Sequence, residues 1–326
     1  MRYYLKDKKM NGFEKTEKLR NIIFDQLSPL IDNDYVLWDL PYHENIGDTL
    51  IWEGERCFLK TLKYKCLDFA NAITCTFPKL QSDVIILLHG GGNFGDVWRD
   101  AQMFRLEVIR KYPNNKIILF PQTVHYSDKS LIAPDANAMG KHKNLTICAR
   151  DGRSFELLKS SFSNEILLLP DMAFCISKEL LENHHMSSLS GRLLIARMDK
   201  ESIPINREEW HGVDIRDWPT CEKATPKLRF LYALFKLNRI IRAEWSKKNI
   251  DFYCNQILRP HLIKSGARFI GCYQEINTTR LHVMILSILL GKDKIYFLDN
   301  NYGKCRSFYD TWLKDLDAVK PYDYSK

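Results

Sequence analysis

The stretch DVIILLHGGGNFGD, residues 83–96, decides how the chain is read: an unbroken apolar run stops in three glycines, and a helix-length segment follows. A strand buried on both faces needs such a run, and strands of that kind belong to parallel sheets covered by helices. The pattern recurs at YVLWDLP (35–41), KIILFPQ (116–122), LTICARD (145–151) and EILLLPD (165–171), with helix-length stretches near 14–28, 48–62, 96–112, 151–161 and 171–183. This alternation predicts a doubly wound α/β unit. A second series, GRLLIARMD (191–199), ARFIGCY (267–273) and KIYFLDN (294–300), is separated by helical stretches near 227–247, 251–264 and 278–290 and predicts another. The polar SSLSG at 187–191 divides the two series. The expectation is therefore an α/β chain of two Rossmann-like domains, 1–186 and 187–326, facing a cleft. The last helix-like segment, 306–319, is free to pack back on the first domain.

With 326 residues, 45% of them hydrophobic and 27% charged, the chain can bury a substantial core and is neither disordered nor fibrous. Its net charge of +8 favours an anionic partner. The basic residues are dispersed and no nucleic-acid-binding motif occurs, so nucleic acid is not the expected partner. Nine cysteines form no C-x-x-C pair and are odd in number, which argues against a zinc ribbon or a disulfide framework and points to a reducing cytosol. The first 21 residues are charged throughout and offer no apolar core of a signal peptide. The longest apolar run, residues 283–290, is far short of the ~20 needed to span a bilayer. A cytoplasmic protein follows, with any membrane contact peripheral.

Ligands of open α/β sheets bind beyond the carboxyl ends of strands, so candidate residues lie in those loops. Gly90, Gly92 and Gly95 satisfy G-x-G-x-x-G, and the amides around Gly91, Gly92 and Asn93 are free of bulk to meet an anion at a helix N-terminus. A dinucleotide is disfavoured because the next strand ends in FPQT, residues 120–123, without the carboxylate that holds a ribose. Other strand-end groups are Asn45 and Asp48 of NIGD, Gln122, Arg150 and Lys304. In INTTRLH, Thr278 or Thr279 is expected to cap a helix with Arg280 and His282 in its first turn. If the two halves face each other, Arg150, Arg280, His282 and Lys304 converge on a small, multiply charged anion. No metal-ligand pattern is evident; His184 and His185 are adjacent, not helically spaced.

Two further segments bear on an acceptor. The long irregular stretch 200–225 holds Trp210, His211 and Trp218, whose rings suit either sugar stacking or burial as loop anchors. Residues 226–247 place Phe230, Leu234, Leu237, Ile241 and Trp245 on one arc, with Arg229, Lys236 and Lys247 roughly opposite. This is the pattern of a core-packed helix or of one lying on an anionic membrane.

NIGD, HGGGNFGD, FPQT, ARD, PDMAF (170–174), RLH and the late lysine, in this order over roughly residues 35–305, resemble the polysaccharide pyruvyl transferase family. The resemblance implies a GT-B-like fold and transfer of pyruvate from phosphoenolpyruvate onto two hydroxyls of a sugar as a cyclic ketal, in bacterial surface-polysaccharide assembly. The implied acceptor is lipid-linked, such as a polyprenyl-diphosphate-linked galactose, and no cofactor is implied beyond phosphoenolpyruvate as donor substrate. Carried over by motif, His282 is the general acid and Arg280 its catalytic companion. Arg150 and Lys304 anchor the donor, with Gly91, Gly92, Asn93, Asn45, Asp48 and Gln122 as further binding residues. The family commonly has a proline near the late lysine, where this chain reads NNYGKC. The rival readings are a nucleotide-sugar-dependent glycosyltransferase of the same fold and a non-catalytic carbohydrate-binding protein.

Overall fold

The computed structural model describes residues 10–182, 190–241, 243–299 and 301–323. The His184–His185 pair and most of the SSLSG divide lie outside them. The first half forms a seven-stranded sheet from β1 (Tyr35–Trp38), β2 (Cys66–Phe69), β3 (Ile85–Leu88), β4 (Gly91–Gly95), β5 (Ile117–His125), β6 (Leu145–Ala149) and β7 (Glu165–Leu168). Its order is β2-β1-β3-β5-β6-β7, with β4 lying alongside β5. The second sheet comprises β8 (Arg192–Ile195), β9 (Val213–Arg216), β10 (Glu275–Thr278), β11 (Lys294–Phe297) and β12 (Val319–Pro321), in the order β12-β11-β10-β8-β9. All pairings between these strands are parallel.

The central strands are buried on both faces, as their composition requires. Ile85, Leu87, Ile118 and Phe120 pack into one apolar cluster, while Ile86, Leu88, Ile117 and Leu119 pack into another on the opposite side. The first of these clusters does not stop at the sheet. It continues through Ile46, Leu50 and Ile51 of the helix Ile46–Leu59 and Val283, Ile285 and Leu286 of the helix Leu281–Leu289, and reaches Leu193, Ile276 and Phe297 of the second sheet.

Several sequence expectations are corrected. ARFIGCY is not a strand: residues up to Gly271 belong to the helix Arg259–Gly271, whose buried Leu262, Ile263, Ala267 and Ile270 follow helical spacing, and the strand is the more polar EINT of β10. The stretch 227–247 is two helices, Pro226–Ile241 and Glu244–Tyr253. The final helix runs Lys304–Trp312, earlier than 306–319, with Lys304 as its first residue after Gly303, at φ +79°. That helix packs on the helix Gly152–Ser161 of the first half: Ser307 Oγ donates to Asp151, and the Gly152 amide donates to Thr311 Oγ1.

The glycine-rich segment is corrected most. It is not a loop opening a helix: Gly91–Gly95 runs as β4 beside the far half of β5, with Gly91 opposite Gln122 and Gly95 opposite His125. The following helix starts only at Arg99, without a side-chain cap. Gly91 and Gly95 have φ of +140° and +117°, and a Cβ on Gly95 would lie 1.9 Å from the His125 carbonyl oxygen. The glycines therefore let one extended backbone lie against another; they do not form a phosphate cradle at a helix mouth.

Candidate functional site

Between the carboxyl ends of the two sheets lies a cavity of about 950 Å3 lined by residues from both. One wall is Asn45 and Asp48 with Gly91, Gly92 and Asn93; the other includes Arg197, Asp199, Glu201, Arg280, His282 and Lys304. Asn45 is the true cap of the helix Ile46–Leu59, accepting from the Gly47 amide, while Asp48 sits in the first turn and accepts from Asn45 Nδ2 at 2.8 Å. Asp48 is therefore not the cap of that helix. Thr278 and Thr279 likewise do not cap their helix. Arg280 occupies the cap position, with its amide donating to Thr278 Oγ1, and the helix begins at Leu281.

At the back of the cavity three polar side chains from separated segments meet. Asp171 Oδ2 lies 2.7 Å from Arg150 Nη1 and 3.2 Å from His282 Nε2, and those two nitrogens are 3.3 Å apart. Arg150 Nε also donates to Thr123 Oγ1. Its remaining nitrogen, Nη2, is buried and has no hydrogen-bond partner. That nitrogen would lie 3.0 Å from a Cβ on Gly92, and Lys304 Nζ would lie 2.2 Å from the same Cβ. Gly92 is thus the point where two cations are brought together by the absence of a side chain. Gly47 does the same for the histidine, since a Cβ there would come within 2.7 Å of His282 Nδ1.

The electrostatics follow from burial against charge. Burial pushes the His282 imidazole below its ordinary value, Asp171 pulls it back up, and Arg150 lowers it again, leaving a net depression. Burial also lowers the Lys304 ammonium, with Glu201 opposing and Arg150 and Arg197 adding. Burial raises the Asp171 carboxyl, but His282 and Arg150 more than offset it and hold it far below the usual carboxylate range. For Asp48 burial again acts upward, while His43, His282, His89 and Lys304 bring the net shift down. Glu201 falls to about 2: burial opposes, but Lys304 and Arg197 prevail.

Arg280 lines the same cavity but is held differently. Asp217 grips it in a two-point pair, Nε to Oδ1 at 2.5 Å and Nη2 to Oδ2 at 2.6 Å, and Asp199 lies 3.4 Å from Nη2. Gln122 does not reach the cavity: its buried side chain donates to the His89 carbonyl at 2.7 Å. Asn93 lines the wall and is fixed by buried Arg105, which donates to its carbonyl and its side-chain oxygen and is paired with Asp39. Trp210 is a buried loop anchor stacked on Tyr322, and Trp218 is fully buried, so burial wins over sugar stacking at both.

Sequence reading missed Asp217, Glu201 and Trp98. The first two lie in a stretch read as irregular. Trp98, 39% exposed, stands on the cavity wall under Lys200 and carries no motif of its own.

The polysaccharide pyruvyl transferase family matches residues 45–297. A putative pyruvyl transferase of Bacillus subtilis, EpsO, is 30% identical over 312 residues, covering 90% of this chain and 92% of its own. Pyruvyl transferase 1 of Schizosaccharomyces pombe is 28% identical over 295 residues, 86% of this chain and 70% of its own. In fold, the chain is similar to an uncharacterised protein of Klebsiella pneumoniae solved by crystallography, with a TM-score of 0.62 at 18% identity over 94% of this chain and 98% of that one. The motifs, the order in which they occur and the extent of these matches agree: the chain belongs to the polysaccharide pyruvyl transferase family.

Proposed function

We propose that the protein transfers the pyruvyl group of phosphoenolpyruvate onto two hydroxyls of a sugar as a cyclic ketal, acting on a lipid-linked acceptor in a GT-B-like cleft. One observation carries the reading: the buried, partnerless Nη2 of Arg150 lies beside Lys304 over Gly92, with His282 at Nη1 of the same guanidinium. A fixed buried cation with an unused donor suits an oxyanion, and a guanidinium matches carboxylate or phosphate geometry.

The donor's carboxylate and phosphate are received by Arg150 and Lys304. Its charge raises the imidazole of His282, which burial holds below its ordinary value in the donor-free protein, and so favours the acid form. His282 gives a proton to the enol methylene carbon while one sugar hydroxyl bonds to the adjacent carbon. Asp48, ionised on the facing wall, receives that hydroxyl's proton. The carbon–oxygen bond to phosphate then breaks, and the second hydroxyl closes the ring. The two hydroxyl protons balance the one given to carbon and the one that leaves with phosphate. Arg280, immobilised and charge-compensated by Asp217 and Asp199, frames the site as a rigid wall. Trp98 offers an aromatic face to the sugar.

Incubation with phosphoenolpyruvate and galactosides, following phosphate release and the mass gain of a pyruvyl group, tests the reading. His282→Ala is expected to lose roughly 10²–10⁴-fold in turnover with the fold intact, and Arg150→Lys to lose donor binding. Unchanged phosphate release in both variants removes the proposal.

A further inference from the structure

Most of the apolar arc on 226–247 faces outward, with only its Leu234 packed against the core. Phe230, Leu237, Ile240 and Ile241 of the helix Pro226–Ile241 are exposed, Ile240 to 80%, and Trp245 and Phe252 of the next helix are 58% and 60% exposed. Leu228 and Leu231, on the other side, are buried in the core, with Leu234 and Phe235 packed against it. Large apolar side chains clustered at this exposure mark an interaction surface.

What the surface meets is indicated by its charge. Residues 226–264 contain nine Lys and Arg against two acidic residues, so 39 residues hold +7 of the whole chain's +8. Arg229, Lys236, Arg239, Lys248 and Lys264 are exposed among or beside the apolar residues. Two copies of such a face would repel, which disfavours a self-dimer. Nucleic acid would satisfy the cations but leave Ile240, Leu237 and Phe230 without an apolar environment. An interface of acyl chains beneath anionic headgroups satisfies both.

The location adds a third argument. Tyr232 Oη donates to Glu44 at 2.8 Å, and Glu44 lines the cavity. Ile73, 51% exposed, lines the cavity rim, and its neighbour Thr74 donates to Asp251 of the second helix at 2.6 Å. The apolar, basic face therefore borders the mouth of the cleft.

We propose that the outer face of the helices Pro226–Ile241 and Glu244–Tyr253 docks on an anionic lipid bilayer, setting the cavity rim at the headgroups. The apolar side chains enter the interface and the Lys and Arg side chains spread to the anionic lipids. This inference stands on the surface alone, and its test needs neither donor nor turnover, so it fails or survives independently of the chemistry proposed above.

The experiment is sedimentation of the full chain with vesicles of phosphatidylcholine alone or mixed equally with phosphatidylglycerol, at low and physiological salt. Retention on the mixed vesicles only, with a blue shift of fluorescence that Trp245→Phe diminishes, is the expected result. The charge pair Arg229→Gln/Lys236→Gln is expected to weaken partitioning roughly fivefold per residue at low salt. The apolar pair Leu237→Ser/Ile240→Ser is expected to abolish retention at physiological salt. Both pairs are on the solvent side, and an unchanged melting temperature confirms their fold. Absence of retention on mixed vesicles, equal retention of all variants, retention by duplex DNA in place of vesicles, or a dimer in sedimentation velocity that Leu237→Ser/Ile240→Ser dissolves would each overturn the proposal.

Discussion

Asp171 serves two groups at once, since one carboxylate oxygen lies within reach of both Arg150 and His282. Its negative charge supports the protonated imidazole and compensates a fully buried guanidinium. Asp171→Asn keeps the shape and removes the charge, so two consequences follow. The imidazole falls further below its ordinary value, and because the proposed reaction needs its protonated form, the fall of kcat with rising pH is expected to begin at lower pH in the variant; a pH profile at saturating donor checks this. The unpaired guanidinium is expected to cost about 3–5 kcal/mol in urea unfolding. A profile unmoved along the pH axis would detach His282 from proton donation. The residues that carry this arrangement were legible individually, because Arg150, His282 and Asp171 each follow a strand in a recognisable motif. Their tie to one another was not, since the three lie 21 to 132 residues apart in sequence and only folding brings the one carboxylate to both the guanidinium and the imidazole.

At the scale of elements, β4 shows what a glycine-rich segment does here. Gly92 has ordinary backbone, and the Cβ of an alanine would meet chiefly the end of the Lys304 side chain, which can move aside, with Arg150 Nη2 next. Gly92→Ala is therefore expected to change the melting temperature little while raising the KM for phosphoenolpyruvate roughly tenfold to a hundredfold, the value of one or two charge-assisted contacts. Gly95→Ala is the contrasting case, because the clash with the His125 carbonyl involves backbone that cannot yield. The strand pattern of β1, β3, β5, β6 and β7 was readable because buried parallel strands are continuous apolar runs. β10 was missed for the converse reason: EINT is short and polar, while the apolar ARFIGCY beside it belongs to a helix buried along one stripe. The glycine fingerprint suggested a helix mouth because spacing alone does not distinguish a turn from a backbone pressed against a neighbouring strand.

At the scale of the molecule, the halves are also joined by a buried acid. Asp251, on the helix Glu244–Tyr253, accepts from Thr74 of the first half, and burial pushes its carboxyl up to about 7. Between the ordinary carboxylate value of about 4 and this value, the folded chain keeps a proton that the unfolded chain has lost, so this group's contribution to stability declines as pH rises through that window. Asp251→Asn removes the decline. Its melting temperature is expected to exceed the parent's by several degrees at pH 8 and to match it near pH 4, as calorimetry across pH would show.

The apolar cluster that runs from Phe120 and Leu87 through the helices Ile46–Leu59 and Leu281–Leu289 to Ile276 and Phe297 has a kinetic consequence. Swinging the halves apart would expose hydrocarbon along the whole seam, so the chamber behaves as a standing doorway, not a pair of jaws. Passage of ligands then depends on local loops around the threshold, and turnover should respond to changes there and be indifferent to stiffening of the seam.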